Sequence, residues 1–105
     1  MTTKSELLKR VKRDVQAIVP KAEIILYGSR AKGTANIDSD WDFLILLPST
    51  VDKNLVLQIK DLLYDIELET DTVLSSIIRS KKEWTSSRYA VMPLRQQIES
   101  YGVAV

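Results

Sequence analysis

The stretch that decides the fold spans residues 26–47 and reads LYGSRAKGTANIDSDWDFLILL. The short apolar run Glu23–Tyr27 leads directly into Gly28-Ser29, a pair typical of turns, and helix-compatible residues follow. After a polar segment, Trp41–Leu47 is a largely apolar run that a proline ends. This order predicts a strand, a turn, the start of a helix, and then a central strand covered on both faces.

Two aspartates lie at the entrance of this second strand. Residues two apart in a strand point to the same face, so Asp40 and Asp42 project together while Trp41 points the other way. Same-face positions are roughly 7 Å apart along a strand, which lets two carboxylates hold one cation or a close pair. A metal held in this way neutralises a triphosphate and orients an attack on it. We therefore predict that Asp40 and Asp42 are catalytic and bind Mg²⁺ or Mn²⁺.

The turn before the aspartates offers a complementary phosphate site. Gly28 lets the backbone approach a phosphate closely, a helix start presents free N–H groups to an anion, and Ser29 adds a hydroxyl donor. Arg30 and Lys32 stand beside the turn, where they are candidates for binding phosphate oxygens or the leaving pyrophosphate. Arg30 is the stronger candidate, because its guanidinium fork suits bidentate phosphate contacts.

Composition limits the remaining chemistry. The 105 residues hold no cysteine and no histidine, which excludes disulfides, thiol nucleophiles, a histidine base and the commonest zinc ligands. Acid–base and metal chemistry must therefore rest on carboxylates. A net charge of +1 and 45% hydrophobic residues are typical of a globular protein rather than of a nucleic-acid or membrane binder. We expect one domain over residues 1–105, no membrane span and a cytoplasmic location.

The whole chain predicts an α-β-α-β-α-β-α order. A capping box begins at Thr3, and apolar residues then recur at helical spacing as far as Val19. Further patterns predict a helix over 55–69, a third strand over 72–79 and helices over 81–84 and 93–101. Together they predict an α/β, or α+β, fold in which helices pack against a small mixed sheet. The basic run over residues 9–13 is interpreted as a solvated helix face.

The stretch YGSRAKGTANIDSDWDFLILL closely resembles the signature of the DNA polymerase beta-like nucleotidyltransferase superfamily, and specifically of its minimal nucleotidyltransferases. The match is tight over residues 26–47, and elsewhere only the order and length of the elements agree. The resemblance implies a single nucleotidyltransferase domain in which Gly28 and Ser29 hold a nucleoside triphosphate, ATP being the expected one. It also implies that Asp40 and Asp42 bind a divalent metal.

The resemblance further implies a third carboxylate on a later strand, where it helps to activate the acceptor hydroxyl. Here the sequence departs from the pattern, because the middle of the predicted third strand holds Ser75 and Ser76. Asp71, at the entrance of that strand, is the best remaining candidate for this catalytic acid. Glu67 and Glu69 precede it on a predicted helix end.

Two functions are compatible with these residues. In the first, the protein is an enzyme that transfers a nucleoside monophosphate, AMP above all, to an acceptor and releases pyrophosphate. The resemblance implies that a small all-helical protein of the HEPN toxin class is the acceptor, although a symmetric homodimer would also complete the site. In the second, the chain has lost turnover with the third acid and is a nucleotide-binding antitoxin that neutralises its partner by binding. A nucleic-acid module is disfavoured, because the net charge lacks a basic excess.

Overall fold

The computed structural model describes residues 3–105; Met1 and Thr2, which the predicted domain includes, lie outside the described residues. Helices and strands follow one another along this range: α1 Lys4–Ile18, β1 Glu23–Tyr27, α2 Ser29–Lys32, β2 Trp41–Leu47, α3 Lys53–Thr70, β3 Leu74–Ser80, α4 Lys81–Trp84, α5 Ser87–Ala90, α6 Pro93–Tyr101 and β4 Val103–Ala104. Within residues 3–105 no helix is both long and apolar enough to cross a membrane.

The strands form one mixed sheet with the order β3-β2-β1-β4. Strand β2 runs antiparallel to β1 and parallel to β3, and β4 pairs antiparallel with the other side of β1. The central position of β2 explains its composition, since residues 43–47 are all buried and a strand covered on both faces must be apolar on both. The predicted small mixed sheet with packed helices is confirmed.

Helices α1 and α3 cover one face of the sheet. Their buried residues recur every three or four positions, which gives each helix one apolar stripe. These residues are Leu7, Val11, Val15, Ile59, Leu63 and Ile66. They belong to the same core cluster as Phe43 and Ile45 of β2. The predicted cap of α1 is present, since the Thr3 hydroxyl accepts a hydrogen bond from the Glu6 N–H at 3.1 Å.

A second apolar cluster lies on the other face of the sheet. Leu44 and Leu46 of β2 pack there with Trp84 of α4 and Ile98 of α6. Because side chains alternate along β2, this is also the face of Asp42. The C-terminal helices therefore cover the part of this face that lies beyond Asp42, and they leave the beginning of β2 uncovered.

Three features differ from the sequence prediction. Residues 87–90 form the short helix α5, and residues 103–104 pair with β1 as β4; neither element was predicted. Strand β3 begins at Leu74 rather than at residue 72, because Asp71 ends α3 in a left-handed conformation (φ 53°) and donates its N–H to the Glu67 carbonyl. A two-residue strand has no periodicity of its own, so only its pairing defines it.

Candidate active site

Gly28 stands where β1 ends and α2 begins, and its backbone adopts φ 74° and ψ −159°. This region of backbone space is reached almost only by glycine. A side chain would also collide with Asp42, because a Cβ built on Gly28 lies against Oδ2 of that carboxylate. The turn therefore holds the start of α2 against a carboxylate of β2, and a larger residue does not fit between them.

Helix α2 begins without a side-chain cap. The N–H groups of Ala31 and Lys32 both donate to the Gly28 carbonyl at 3.1 Å, which closes the first turn. Backbone N–H groups that precede the first closed turn have no acceptor inside the helix. Together with the half-buried Ser29 hydroxyl they form a set of donors suited to phosphate oxygens.

Asp40 and Asp42 form a pair of carboxylates beside this turn. Burial, and then the negative charge of Asp40, raise the pKa of Asp42 above its ordinary value. Among residues 3–105 neither carboxylate takes part in a salt bridge. Two carboxylates that repel each other and have no cationic partner suit a divalent cation. Asp40 and Asp42 are therefore the residues that would hold Mg²⁺ here.

No third carboxylate joins this pair in the described part of the chain. In the parallel register of β2 and β3, Asp42 lies opposite Ser75, so a hydroxyl occupies the neighbouring position on the same face. Asp71 instead caps α3 and lines a cleft with Trp41, whose side chain belongs to the opposite face. Within residues 3–105 no three acidic side chains converge where they would hold one metal ion. The structure thus brings Asp40 and Asp42 together without Asp71, whose role as a base stays a prediction.

Arg30 contacts the polar segment that leads into β2. Its Nε and Nη2 donate to the Ser39 carbonyl at 3.2 and 2.9 Å, and Nη2 also reaches the Ile37 carbonyl at 3.4 Å. The guanidinium lies 4.3 Å from the centre of the Trp41 ring. The phosphate contact expected of Arg30 stays a prediction, whereas its contacts in the structure brace the segment before Asp40.

Lys32 is exposed and lies on the opposite side of α2. Its Nζ is 4.9 Å from the centre of the Tyr101 ring, so it contacts α6 through a cation–π interaction. The single ammonium stays accessible from solvent. The phosphate contact expected of Lys32 also stays a prediction.

Sequence analysis missed Tyr27 as a neighbour of Asp42, and it named Ser75 only together with Ser76. Tyr27 pairs with Asp42 across β1 and β2, and Ser75 pairs with it across β2 and β3, so both share its face. Burial, and then the Asp42 charge, raise the pKa of the Tyr27 hydroxyl. Alternation alone predicts faces within one strand but does not reveal which residue of the next strand lies opposite.

The model of the nucleotidyltransferase domain family matches residues 5–100. The chain belongs to this family. Over 105 residues this nucleotidyltransferase is 31% identical to a Methanocaldococcus jannaschii protein named "putative protein adenylyltransferase", with 95% of this chain and 96% of that protein covered. The resemblance seen in residues 26–47 is thereby confirmed.

Solved structures share the fold at low sequence identity. A chain from a toxin–antitoxin complex with AMP-PNP aligns with a TM-score of 0.63 at 22% identity, covering 97% of this chain and 72% of that one. A chain from the complex of a tri-AMPylated Shewanella oneidensis HEPN toxin with MNT antitoxin aligns with a TM-score of 0.62 at 17% identity, covering 97% and 71%. These alignments confirm the mixed α+β architecture.

Proposed function

We propose that this nucleotidyltransferase transfers AMP from Mg²⁺–ATP to a hydroxyl of a HEPN-type helical partner. The observation that carries the proposal is the contact of Gly28 with Asp42, which sets a turn suited to phosphate against carboxylates suited to a divalent cation. The relative named as a protein adenylyltransferase supports the reaction. The complexes of the same fold, one with AMP-PNP and one with a tri-AMPylated HEPN toxin, support the nucleotide and the partner.

Each group has one task in this transfer. The N–H groups after Gly28 and the Ser29 hydroxyl bind phosphate oxygens and orient the triphosphate. Asp40 and Asp42 would hold Mg²⁺, which would offset the charge on the phosphates and on the leaving pyrophosphate. The acceptor oxygen forms a bond to the α-phosphorus, the bond to the bridging oxygen breaks, and pyrophosphate leaves with that electron pair.

The proton of the acceptor hydroxyl needs a base, and Ser75 stands where a carboxylate would be nearest to Asp42. A neutral hydroxyl is a poor general base. No third carboxylate lies beside Asp40 and Asp42 within residues 3–105, so we infer that the partner protein supplies the base. Transfer would then require the complex, and the isolated chain would hydrolyse or transfer very little.

Ser75 also supports a second candidate function. Without a base, the chain would retain nucleotide binding and neutralise a HEPN-type toxin by covering it. The two functions share Gly28, Asp40 and Asp42 and differ only in turnover.

Incubation with labelled ATP, Mg²⁺ and a co-expressed HEPN-type partner tests the transfer. Label is expected on the partner with the native chain and with the control Asp38→Asn, an exposed acid in the preceding turn. Asp40→Asn and Asp42→Asn should each lower transfer by at least about 100-fold, since even residues behind metal ligands contribute about 10- to 100-fold. Unchanged transfer in both variants would reject the proposed metal site.

Restoring a carboxylate separates the two candidate functions. Ser75→Asp places an acid opposite Asp42, and Ser75→Asn is the uncharged control of the same shape. If the missing base limits transfer, Ser75→Asp should raise the rate by about 100-fold, the lower end of the usual range for general bases. If both variants bind nucleotide, neutralise the partner and transfer nothing, the binding antitoxin is the better description.

A further inference from the structure

Strand β3 borders a second cleft, away from the aspartate pair. Lys60 of α3 and Ser76 and Arg79 of β3 line this cleft, whose volume is about 450 Å³. Because β3 is outermost in the sheet order, no other strand of the described chain covers its outer side. Ser76 pairs with Phe43 and points to the face opposite that of Asp42, whereas Arg79 pairs with Leu46 on the face of Asp42, so the cleft extends around the outer edge of β3.

Three donor groups face this cleft. Lys60 Nζ donates to the Ser76 carbonyl at 2.8 Å and to Ser76 Oγ at 2.6 Å, so one ammonium hydrogen and the serine hydroxyl hydrogen remain. Arg79 Nη1 donates to the Ile78 carbonyl at 2.8 Å, which leaves the other guanidinium N–H groups for a further acceptor. The protein thus orders these side chains while keeping donors available.

Two cations, Lys60 and Arg79, lie close together in this cleft. In the part of the chain that the structure describes, neither Lys60 nor Arg79 forms a salt bridge, although Glu83 lines the same cleft. Partial burial of the ammonium, and then the charge of Arg79, lower the pKa of Lys60. Holding two like charges close together is unfavourable, and a bound anion would offset this repulsion.

We propose that Lys60, Ser76 and Arg79 form a second binding site, which takes a phosphoryl oxyanion. A phosphoryl group presents three acceptor oxygens, and these match an ammonium, a hydroxyl and a planar guanidinium. Cations that only protect an exposed edge strand against pairing would show the same charges but no saturable affinity for an anion. The site is separate from Gly28 and Asp42, so it does not depend on the proposed nucleotidyl transfer.

Calorimetric titration of the protein with inorganic phosphate, pyrophosphate and AMP, in the presence of a chelator, tests the site. Without metal, the charges of Asp40 and Asp42 repel anions from the Gly28 turn, so the titration reports the β3 cleft. Lys60→Gln and Arg79→Gln should each weaken binding by about tenfold or more, the usual size of a charge-assisted hydrogen bond.

Matched controls are Lys53→Gln on the same helix and Arg88→Gln on α5, both exposed residues outside the cleft. Both should bind as the native protein does, and the native Ser76 and Ile77 amide resonances should shift on titration. Binding of AMP would identify a nucleotide as a source of the phosphoryl group. Binding of phosphate or pyrophosphate without binding of AMP would identify a free anion as the ligand. Equal affinities of all four variants and the native protein, or no binding of any ligand, would overturn the proposal.

Discussion

At the scale of single residues, a comparison of Gly28 with Gly33 separates the backbone strain that a side chain would cause from its steric clash with Asp42. Gly28 and Gly33 both have positive φ, 74° and 77°, but a Cβ on Gly33 would meet nothing within 4 Å, whereas one on Gly28 would strike Asp42. Gly28→Ala should lower the free energy of unfolding by about 2–3 kcal/mol and weaken triphosphate binding. Gly33→Ala should lower the free energy of unfolding only by the backbone strain, about 1–2 kcal/mol. Urea unfolding measures the free energy of unfolding, and calorimetry measures triphosphate binding. Equal losses of unfolding free energy in the two variants would contradict the contact of Gly28 with Asp42.

The carboxyl group of Asp42 also links stability to pH. Burial and the Asp40 charge raise its pKa above the ordinary 3.8, so over some pH range the folded state holds a proton that the unfolded chain has released. Without metal, the free energy of unfolding is therefore expected to fall as pH rises through this range. Above the pKa of Asp42 in the folded state, the stabilisation by the protonated carboxyl group is lost completely. Asp42→Asn should remove this dependence and be the more stable protein at about pH 7.

Urea unfolding in chelator at about pH 4 and about pH 7 measures the effect of Asp42, because these values lie near and well above the ordinary pKa of aspartate. Asp38→Asn is the control, since Asp38 is exposed. The same pH dependence in the native protein and in Asp42→Asn would contradict the prediction.

At the scale of elements, Arg30 ties α2 to the segment that enters β2. It donates twice to the Ser39 carbonyl and stacks on Trp41. Arg30→Lys keeps the charge but loses the fork and the planar stacking, so it should lower the free energy of unfolding by about 1–2 kcal/mol. Amide exchange over residues 34–40 should become faster in the free protein.

Arg88→Lys, an exposed substitution of the same type, is the control for Arg30→Lys. If Arg30 binds phosphate instead of bracing the segment, amide exchange in the free protein would not change and only the triphosphate affinity would fall. The two roles therefore give different results with and without nucleotide.

At the scale of the whole molecule, nucleotide and metal should stabilise the fold together. The candidate site is formed by β1, α2 and β2. A ligand that binds only the folded state raises the free energy of unfolding by about 2.7 kcal/mol when its concentration is 100 times its Kd. ATP with Mg²⁺ should raise the thermal midpoint more than ATP with chelator does, because without metal Asp40 and Asp42 repel the phosphates from the Gly28 turn. Thermal unfolding measures this, and equal stabilisation by both mixtures would show that the aspartates do not act through a metal.

Local pattern was sufficient for the elements that form the site. Strand β2 has the predicted bounds, Trp41–Leu47, because a central strand must be apolar on both faces and its composition shows this directly. Strand β1 and the start of α2 follow from an apolar run that meets a glycine turn. The start of β3 and the short strand β4 were harder to predict, since a half-buried edge strand and a two-residue pair have little periodicity.

By itself the sequence determined the family and the candidates Gly28, Ser29, Asp40 and Asp42, because these residues lie in one short segment and strand alternation sets the face of the aspartates. Only the tertiary structure decided that Ser75 lies opposite Asp42. The positions of Arg30, Asp71 and the β3 cleft were settled in the same way. The physical reason is register: pairing between strands that are distant in the chain selects each cross-strand neighbour, and a shift of one residue would turn every side chain to the other face.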